Sequence, residues 1–158
     1  AENDRRAEPL SAIVVEAARL ALADFGDGTA LETDFDPRVP LVLVDRIQIQ
    51  QAIVNLVANA AEALDGRFDG RSRIVSSARP GGEVELSVED NGAGLPPAVM
   101  ARLFQSYVGA GDGGLGIGLS VCQTVIEANG GRIWAGQSPL GGAALRFTLI
   151  AAPDALNG

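Results

Sequence analysis

The chain has 158 residues, 47% apolar and 4% aromatic, enough for one domain with a sizeable core. Its net charge of -8 excludes a bare nucleic-acid duplex and an anionic membrane surface as natural partners. All twelve basic residues are arginine and there is no histidine, which excludes P-loop and Schiff-base lysines, Ser-His-Asp triads, H-E-x-x-H zinc sites and a phospho-accepting histidine.

Apolar residues at helical spacing predict a first helix over 9–23, with Ser11 as a cap. After a Gly-Asp-Gly turn at 26–28, short strands are expected over 30–36 and 40–44. Asp45 is a good N-cap, and Gln48 stands where a capping box wants Glu or Gln, so a helix is predicted to about Leu64, stopping near Gly66. The polar, Arg- and Ser-rich segment 65–82 reads as a mobile connection, from which Ile74–Val75 extends into a strand paired with 83–89. Pro96–Pro97 opens a short helix through Phe104. A glycine-dense stretch over 109–118 leads into a helix from about Ile117 to Asn129, closed by Gly130–Gly131. Strands over 132–137 and 143–150 complete a hairpin, which points to a mixed sheet with helices on one face.

No apolar run reaches the ~18 residues of a membrane span, and no signal peptide opens the chain. The single cysteine, Cys122, reads as a small buried core residue and fits a reducing cytoplasm. Cytoplasmic location without direct membrane contact is therefore expected.

Three patterns carry chemistry. Gln48, Gln51, Asn55, Asn59 and Glu62 recur at i, i+3, i+7, i+11 and i+14, forming one polar stripe on the second long helix. Such a stripe is ordinarily a solvated face, but solvated faces favour Glu, Lys and Arg, and Asn is worse in a helix by about half a kcal/mol. Two asparagines one turn apart point to a ligand, and a carboxamide oxygen suits a hard cation such as magnesium. Asp90-Asn91-Gly92-Ala93-Gly94 is a tight turn whose glycines permit close backbone approach to a flat ligand, while Asp90 can accept from an adenine amino group. In Gly109-Ala110-Gly111-Asp112-Gly113-Gly114-Leu115-Gly116-Ile117-Gly118-Leu119, six glycines in eleven residues precede a helix, offering amides and a positive helix end to phosphates. The alternative, a flexible surface loop, does not need Leu115, Ile117 and Leu119 interleaved with glycine. Its Gly114-x-Gly116-x-Gly118 spacing is not the dinucleotide fingerprint.

In this order the patterns resemble the GHKL ATPase/kinase superfamily, most closely the catalytic and ATP-binding domain of bacterial sensor histidine kinases of the FixL type. Val42 to Gln51, continuing through Asn55-Leu56 and Asn59-Ala60-Ala61-Glu62-Ala63, is similar to the N box. Asp90 to Gly94 resembles the G1 box, Leu103-Phe104-Gln105-Ser106-Tyr107 the F box, and Gly114 to Ser120 the G2 box. Glu127-Ala128-Asn129-Gly130-Gly131 and Gly141-Gly142-Ala143 with Arg146-Phe147-Thr148-Leu149 match the closing strands. The resemblance covers about residues 8–150.

It implies an α/β (α+β) two-layer sandwich of the Bergerat/GHKL fold, a mixed, mostly antiparallel sheet of about five strands covered by three helices. Residues 1–8 would be a linker from an upstream dimerisation and phosphoacceptor region, 9–150 the ATP-binding catalytic domain, and 151–158 a tail. By the resemblance Asn59 contacts magnesium and Asn55 helps hold the phosphates, the two forming the catalytic pair. The nucleotide contacts it implies come from Glu62, Asp90, Gly92, Gly94, Phe104, Gly114, Leu115, Gly116, Ile117, Gly118 and Leu119, with Phe104 anchoring a lid. The expected ligands are ATP and Mg2+. The expected partners are the phosphoacceptor helical domain of the same full-length protein and a response-regulator receiver domain.

A carboxamide at Asn55 cannot take a proton at neutral pH, where hydrolytic and serine-phosphorylating relatives use glutamate, so transfer to a histidine on another domain is the implied reaction. The chain departs from its close relatives where Gly109-Ala110-Gly111 replaces Thr-Thr-Lys, where Asn129 replaces a histidine, and where Val108 replaces an aromatic. These departures leave open a second reading, a degenerate module that docks a signalling partner.

Overall fold

The computed structural model describes residues 4–23, 30–94 and 114–153, the last stretch with side chains from Leu119 onward. In chain order the elements are β1 (Arg6–Glu8), α1 (Leu10–Leu22), β2 (Ala30–Phe35), β3 (Val42–Val44), α2 (Arg46–Ala63), β4 (Arg71–Arg79), β5 (Glu83–Asp90), α3 (Gly114–Ala128), β6 (Ile133–Gln137) and β7 (Ala143–Ile150). The main sheet has the order β2-β4-β5-β7-β6; β2 runs parallel to β4, and every other neighbour is antiparallel. A two-stranded ribbon pairs β1 with β3 and joins the main sheet through the Val42–Ala151 bridge and the Ala152 N–H bond to Leu41 O.

All three helices lie on one face of the sheet. Alternation along β5 and β7 sends Val84, Leu86, Val88, Phe147 and Leu149 into that layer, where Leu86 pairs with Phe147. They meet Ile13 and Val14 of α1, Ile49, Ile53 and Leu56 of α2, and Leu119, Cys122 and Ile126 of α3. The fold expected from the resemblance is therefore the fold observed.

Local signals explain most element ends. Asp45 caps α2 by accepting from the Gln48 N–H at 3.2 Å. α3 ends in a Schellman motif: Gly130, at φ 85°, donates to Glu127 O at 3.0 Å, and Gly131 donates to Ile126 O at 2.9 Å.

Three expectations need correction. Ser11 does not cap α1; Pro9 holds that position without a side-chain bond, and Ser11 is exposed inside the first turn. The helix after the glycine-dense stretch starts at Gly114, so the glycine box forms its first turn instead of preceding it. Within 65–82, read as a mobile connection, residues 71–79 form a nine-residue inner strand; the strand expected at Ile74–Val75 is present, longer than expected, and pairs with β5 as expected. Its alternation places Ser72, Ile74 and Ser76 inward and Arg71, Arg73 and Arg79 outward. On the outer face Arg73 donates to Glu89 at 2.8 and 3.0 Å, Arg71 to Glu32 at 2.7 Å, and Arg79 pairs with Glu85. Arginines that looked like loop composition are cross-strand partners of acidic residues. Glu89, only 4% exposed, faces two arginines, Arg73 at 2.8 Å and Arg146 at 4.0 Å.

The predicted short helix 96–104, with Phe104, and the stretch 109–113 lie outside the described residues.

Candidate functional site

A cavity of about 420 Å³ opens between the C-terminal half of α2, the end of β5, the start of β7 and α3. Its floor and walls are apolar: Leu56, Ala60 and Ala63 from α2, Val88, Leu119 and Leu145. Polar groups enter at a few points, Asn59 and Glu62 from α2 and Asp90 from β5, with Ala93 and Gly94 at the turn. An apolar slot of this size with a few convergent polar groups suits a small, partly flat ligand.

α2 places Asn59 here for a simple reason. Ile49, Ala52, Ile53, Leu56, Val57 and Ala60 hold the helix on the core, and this turns Asn59 toward the cavity end. The Nδ2 of Asn59 is buried and has no hydrogen-bond partner among the described residues. A buried, unpaired amide costs about 1–3 kcal/mol, so a ligand that meets it recovers that energy. A carboxamide offers both an N–H donor and a hard carbonyl oxygen, so the group fits a phosphate oxygen and, through its oxygen, a divalent cation. Among the described residues no cluster of three acidic, Cys or His side chains could hold a metal by itself. A divalent cation at this place would need oxygens from a ligand or water beside the Asn59 carbonyl.

Asp90 is held from two chain segments. Its Oδ1 accepts from the N–H of Gly92 at 2.8 Å and of Ala143 at 3.2 Å, while its carbonyl accepts from Gly142 N–H at 3.0 Å. Among the described residues Oδ2 has no partner, and Asp90 lines the cavity. Asn91 ties the same turn to β4, accepting from Arg71 N–H at 2.7 Å and donating to Asp69 O at 2.8 Å.

The structure thus gathers Asn59, Glu62, Asp90, Gly94 and Leu119 around one cavity, with Gly92 behind Asp90. Asn55 lies one turn earlier, half-buried, with its side chain at the Cys122 thiol. The stripe does not stay on one face: Gln51 is exposed and borders a shallow groove with Leu20 and Ile47. Gly114, Leu115, Gly116, Ile117 and Gly118 form the first backbone turn of α3, next to Leu119. Sequence reasoning missed Leu56 and Ala63, three and four residues from Asn59 on the same helix, Ala60 directly after it, and Val88, two residues before Asp90. It also missed Ala143 as a donor to Asp90, which no local pattern announces.

An open sandwich with its cavity between α2, α3 and the sheet is the architecture of a GHKL-type ATP-binding domain. The chain belongs to the histidine kinase-, DNA gyrase B-, and HSP90-like ATPase family, whose model matches residues 44–153. It is 41% identical over 155 residues to the sensor protein FixL of Bradyrhizobium diazoefficiens, covering 97% of this chain and 30% of that protein. Full-length ShkA in complex with AMPPNP has a TM-score of 0.77 at 26% identity, covering 96% of this chain and 32% of that one. Histidine kinase ThkA, in complex with the response regulator protein TrrA, has a TM-score of 0.78 at 25% identity, covering 96% of this chain and 43% of that one. The domain is thus of the ATP-binding kind found in two-component histidine kinases, and it spans under a third of the length of FixL. Among the described residues no helix is long and apolar enough to cross a membrane.

Proposed function

We propose that this chain binds ATP with magnesium in the cavity beside Asn59 and Asp90 and presents the γ-phosphate to a histidine on a separate helical phosphoacceptor domain. That histidine would pass the phosphoryl group to the receiver domain of a response regulator, in the cytoplasm. The observation that carries the reading is one cavity holding on Asn59 a buried amide with no partner among the described residues and, across from it, a carboxylate with one oxygen engaged by two backbone N–H groups.

In this reading the free oxygen of Asp90 accepts from the adenine amino group, and Leu56, Ala60, Val88 and Leu145 supply the apolar slot for the ring. Gly94 lets the turn approach the base, and Glu62 lies exposed at the rim. Amides in the first turn of α3, over Gly114, Leu115, Gly116, Ile117, Gly118 and Leu119, meet the phosphates at a positive helix end. Asn55 and Asn59 orient the phosphate chain. Magnesium, when bound, would neutralise charge on the phosphate oxygens. Neither carboxamide can accept a proton from water at neutral pH, so the chain by itself has no base for hydrolysis among its proposed catalytic groups. Phe104 would hold the lid.

Calorimetry with ATP, with and without magnesium, tests this on the native chain and on Asp90→Asn. Magnesium-assisted binding that the variant loses supports the reading. A native chain that takes up no nucleotide would overturn it in favour of a docking module. Steady phosphate release by the isolated chain would point instead to a hydrolase.

A further inference from the structure

Asp90 is fixed by a residue that has no side chain. Gly142, immediately before β7, donates its N–H to Asp90 O at 3.0 Å, and the next amide, Ala143, donates to Asp90 Oδ1 at 3.2 Å. The Cα of Gly142 presses on the Asp90–Gly94 turn. A Cβ built there would stand 2.6 Å from Gly92 N and 2.8 Å from Asp90 O, and would run into Asp90 Oδ1. Two of these three atoms are backbone, so a rotamer change cannot relieve the contact. From the other side Gly94, at φ 77°, packs on Gly142, with the position of its own missing Cβ 3.7 Å from Gly142 C. The two turns close on one another through glycines, and the closure spends one carboxylate oxygen of Asp90 on backbone amides while the other has no partner among the described residues.

We infer that Gly142 is a specificity-determining positioning residue, which aims the free carboxylate oxygen of Asp90 at a purine's exocyclic amino group. The inference rests on the proposed nucleotide reading. A carboxylate distinguishes an amino group, which donates to it, from a carbonyl, which repels it, but only while its direction is held. A side chain at 142 must part the two turns, and the amides of Gly92 and Ala143 then cease to hold Oδ1. Of the cavity lining, Asp90, Gly94 and Ala143 border Gly142, and the atoms nearest a Cβ there belong to Asp90 and Gly92, not to Leu56, Ala60, Val88 or Leu145.

The test compares dissociation constants for ATP and for inosine triphosphate, which carries a carbonyl in place of the amino group, on the 158-residue chain at fixed magnesium. The native chain is expected to favour ATP by about tenfold or more, since a site that hydrogen-bonds an amino group discriminates strongly against its loss. In Gly142→Ala the affinity for ATP falls by about that factor while that for inosine triphosphate barely moves, so the preference collapses. Gly141→Ala is the control: its φ of 112° makes a side chain strained, but nothing lies within 4 Å of its Cβ position. It should lower the melting temperature and keep the preference, which separates aiming from general stability. If Gly142→Ala fails to fold, Ala143→Pro, which deletes the amide donor to Oδ1 without adding a group at 142, carries the same expectation. A folded Gly142→Ala that still prefers ATP by the native factor overturns the inference and leaves the nucleotide reading standing. A native chain that binds both nucleotides equally removes the role of Asp90, and the inference with it.

Discussion

The backbone N–H of Asp45 donates to Asn129 Oδ1 at 2.8 Å, joining the first residue of one helix cap to the last turn of another, 84 positions away. Asn129 is fully buried; its Nδ2 donates to Gln48 Oε1 at 3.0 Å and to Val125 O at 2.9 Å. One side chain thereby closes the start of α2 against the end of α3, the two helices that flank the candidate site. Replacing it with leucine would leave the Asp45 amide unpaired in the interior, at a cost of about 1–3 kcal/mol for that group alone. Asn129→Leu should therefore melt between about 2 and 12 °C below the native chain in a thermal scan, given about 2–4 °C per kcal/mol at this size. A shift of under two degrees would show that the clamp carries little of the stability.

Asp45 also takes a bond from the N-terminal segment: Asp4 N–H donates to its Oδ2 at 2.9 Å, beside the Glu8–Arg46 ion pair. That bond, and those from the Gln48 and Ile47 amides, hold the carboxyl below its ordinary pKa against the opposing effect of burial. A lowered folded value means that the stabilisation is complete above the unfolded value near about 4 and is lost as pH falls through the folded one. Asp45→Ala should cost about 1–2 kcal/mol in urea unfolding at pH 7. The gap between native chain and variant should close below about pH 4. A gap that is constant from pH 7 to pH 3 would deny the capping role.

Asn59 presents the opposite balance. Its buried Nδ2 has no partner among the described residues, so the side chain weakens the empty domain. Asn59→Ala should leave urea stability unchanged or raise it by up to about 1 kcal/mol, while calorimetry finds nucleotide binding lost. A variant that is markedly less stable, or that binds ATP as the native chain does, contradicts this assignment.

Cys122 is fully buried, with its thiol 3.4 Å from Ala52 O. Burial pushes its pKa up to about 11, only partly countered by the Asn55 side chain. At pH 8 about one thiol in a thousand is then ionised, against roughly a quarter for an ordinary cysteine. The native chain should react with iodoacetamide orders of magnitude more slowly than the urea-unfolded chain, as read by mass spectrometry. Equal rates would place the thiol at the surface.

α2 was legible because its signals are local. Asp45 and Gln48 stand at cap spacing, and the asparagines are poor helix formers in a row of good ones. Even there only half of the capping box was readable, since the partner of the Asp45 amide comes from α3. β4 was foreseen only around Ile74–Val75, and its full length was misread because its outward positions are arginines, whose acidic partners Glu32, Glu85 and Glu89 lie on neighbouring strands. Composition alone made that segment look like a loop. The start of α3 was placed three residues late because glycine counts against helix, and there the glycines are inside its first turn.

By itself, then, the chain's order of residues determined the family, the alternation of helices and strands, and which helix and which turn would bear Asn59 and Asp90. These follow from periodicity, caps and motifs within a few residues of one another. Only the tertiary structure decided which oxygen of Asp90 has no partner among the described residues, why a side chain at position 142 would press on the Asp90 turn, and that Asn129 ties α2 to α3. The Ala143–Asp90 and Asp45–Asn129 bonds span 53 and 84 positions of chain and exist only once two separate elements have packed at a set distance, which no local pattern encodes.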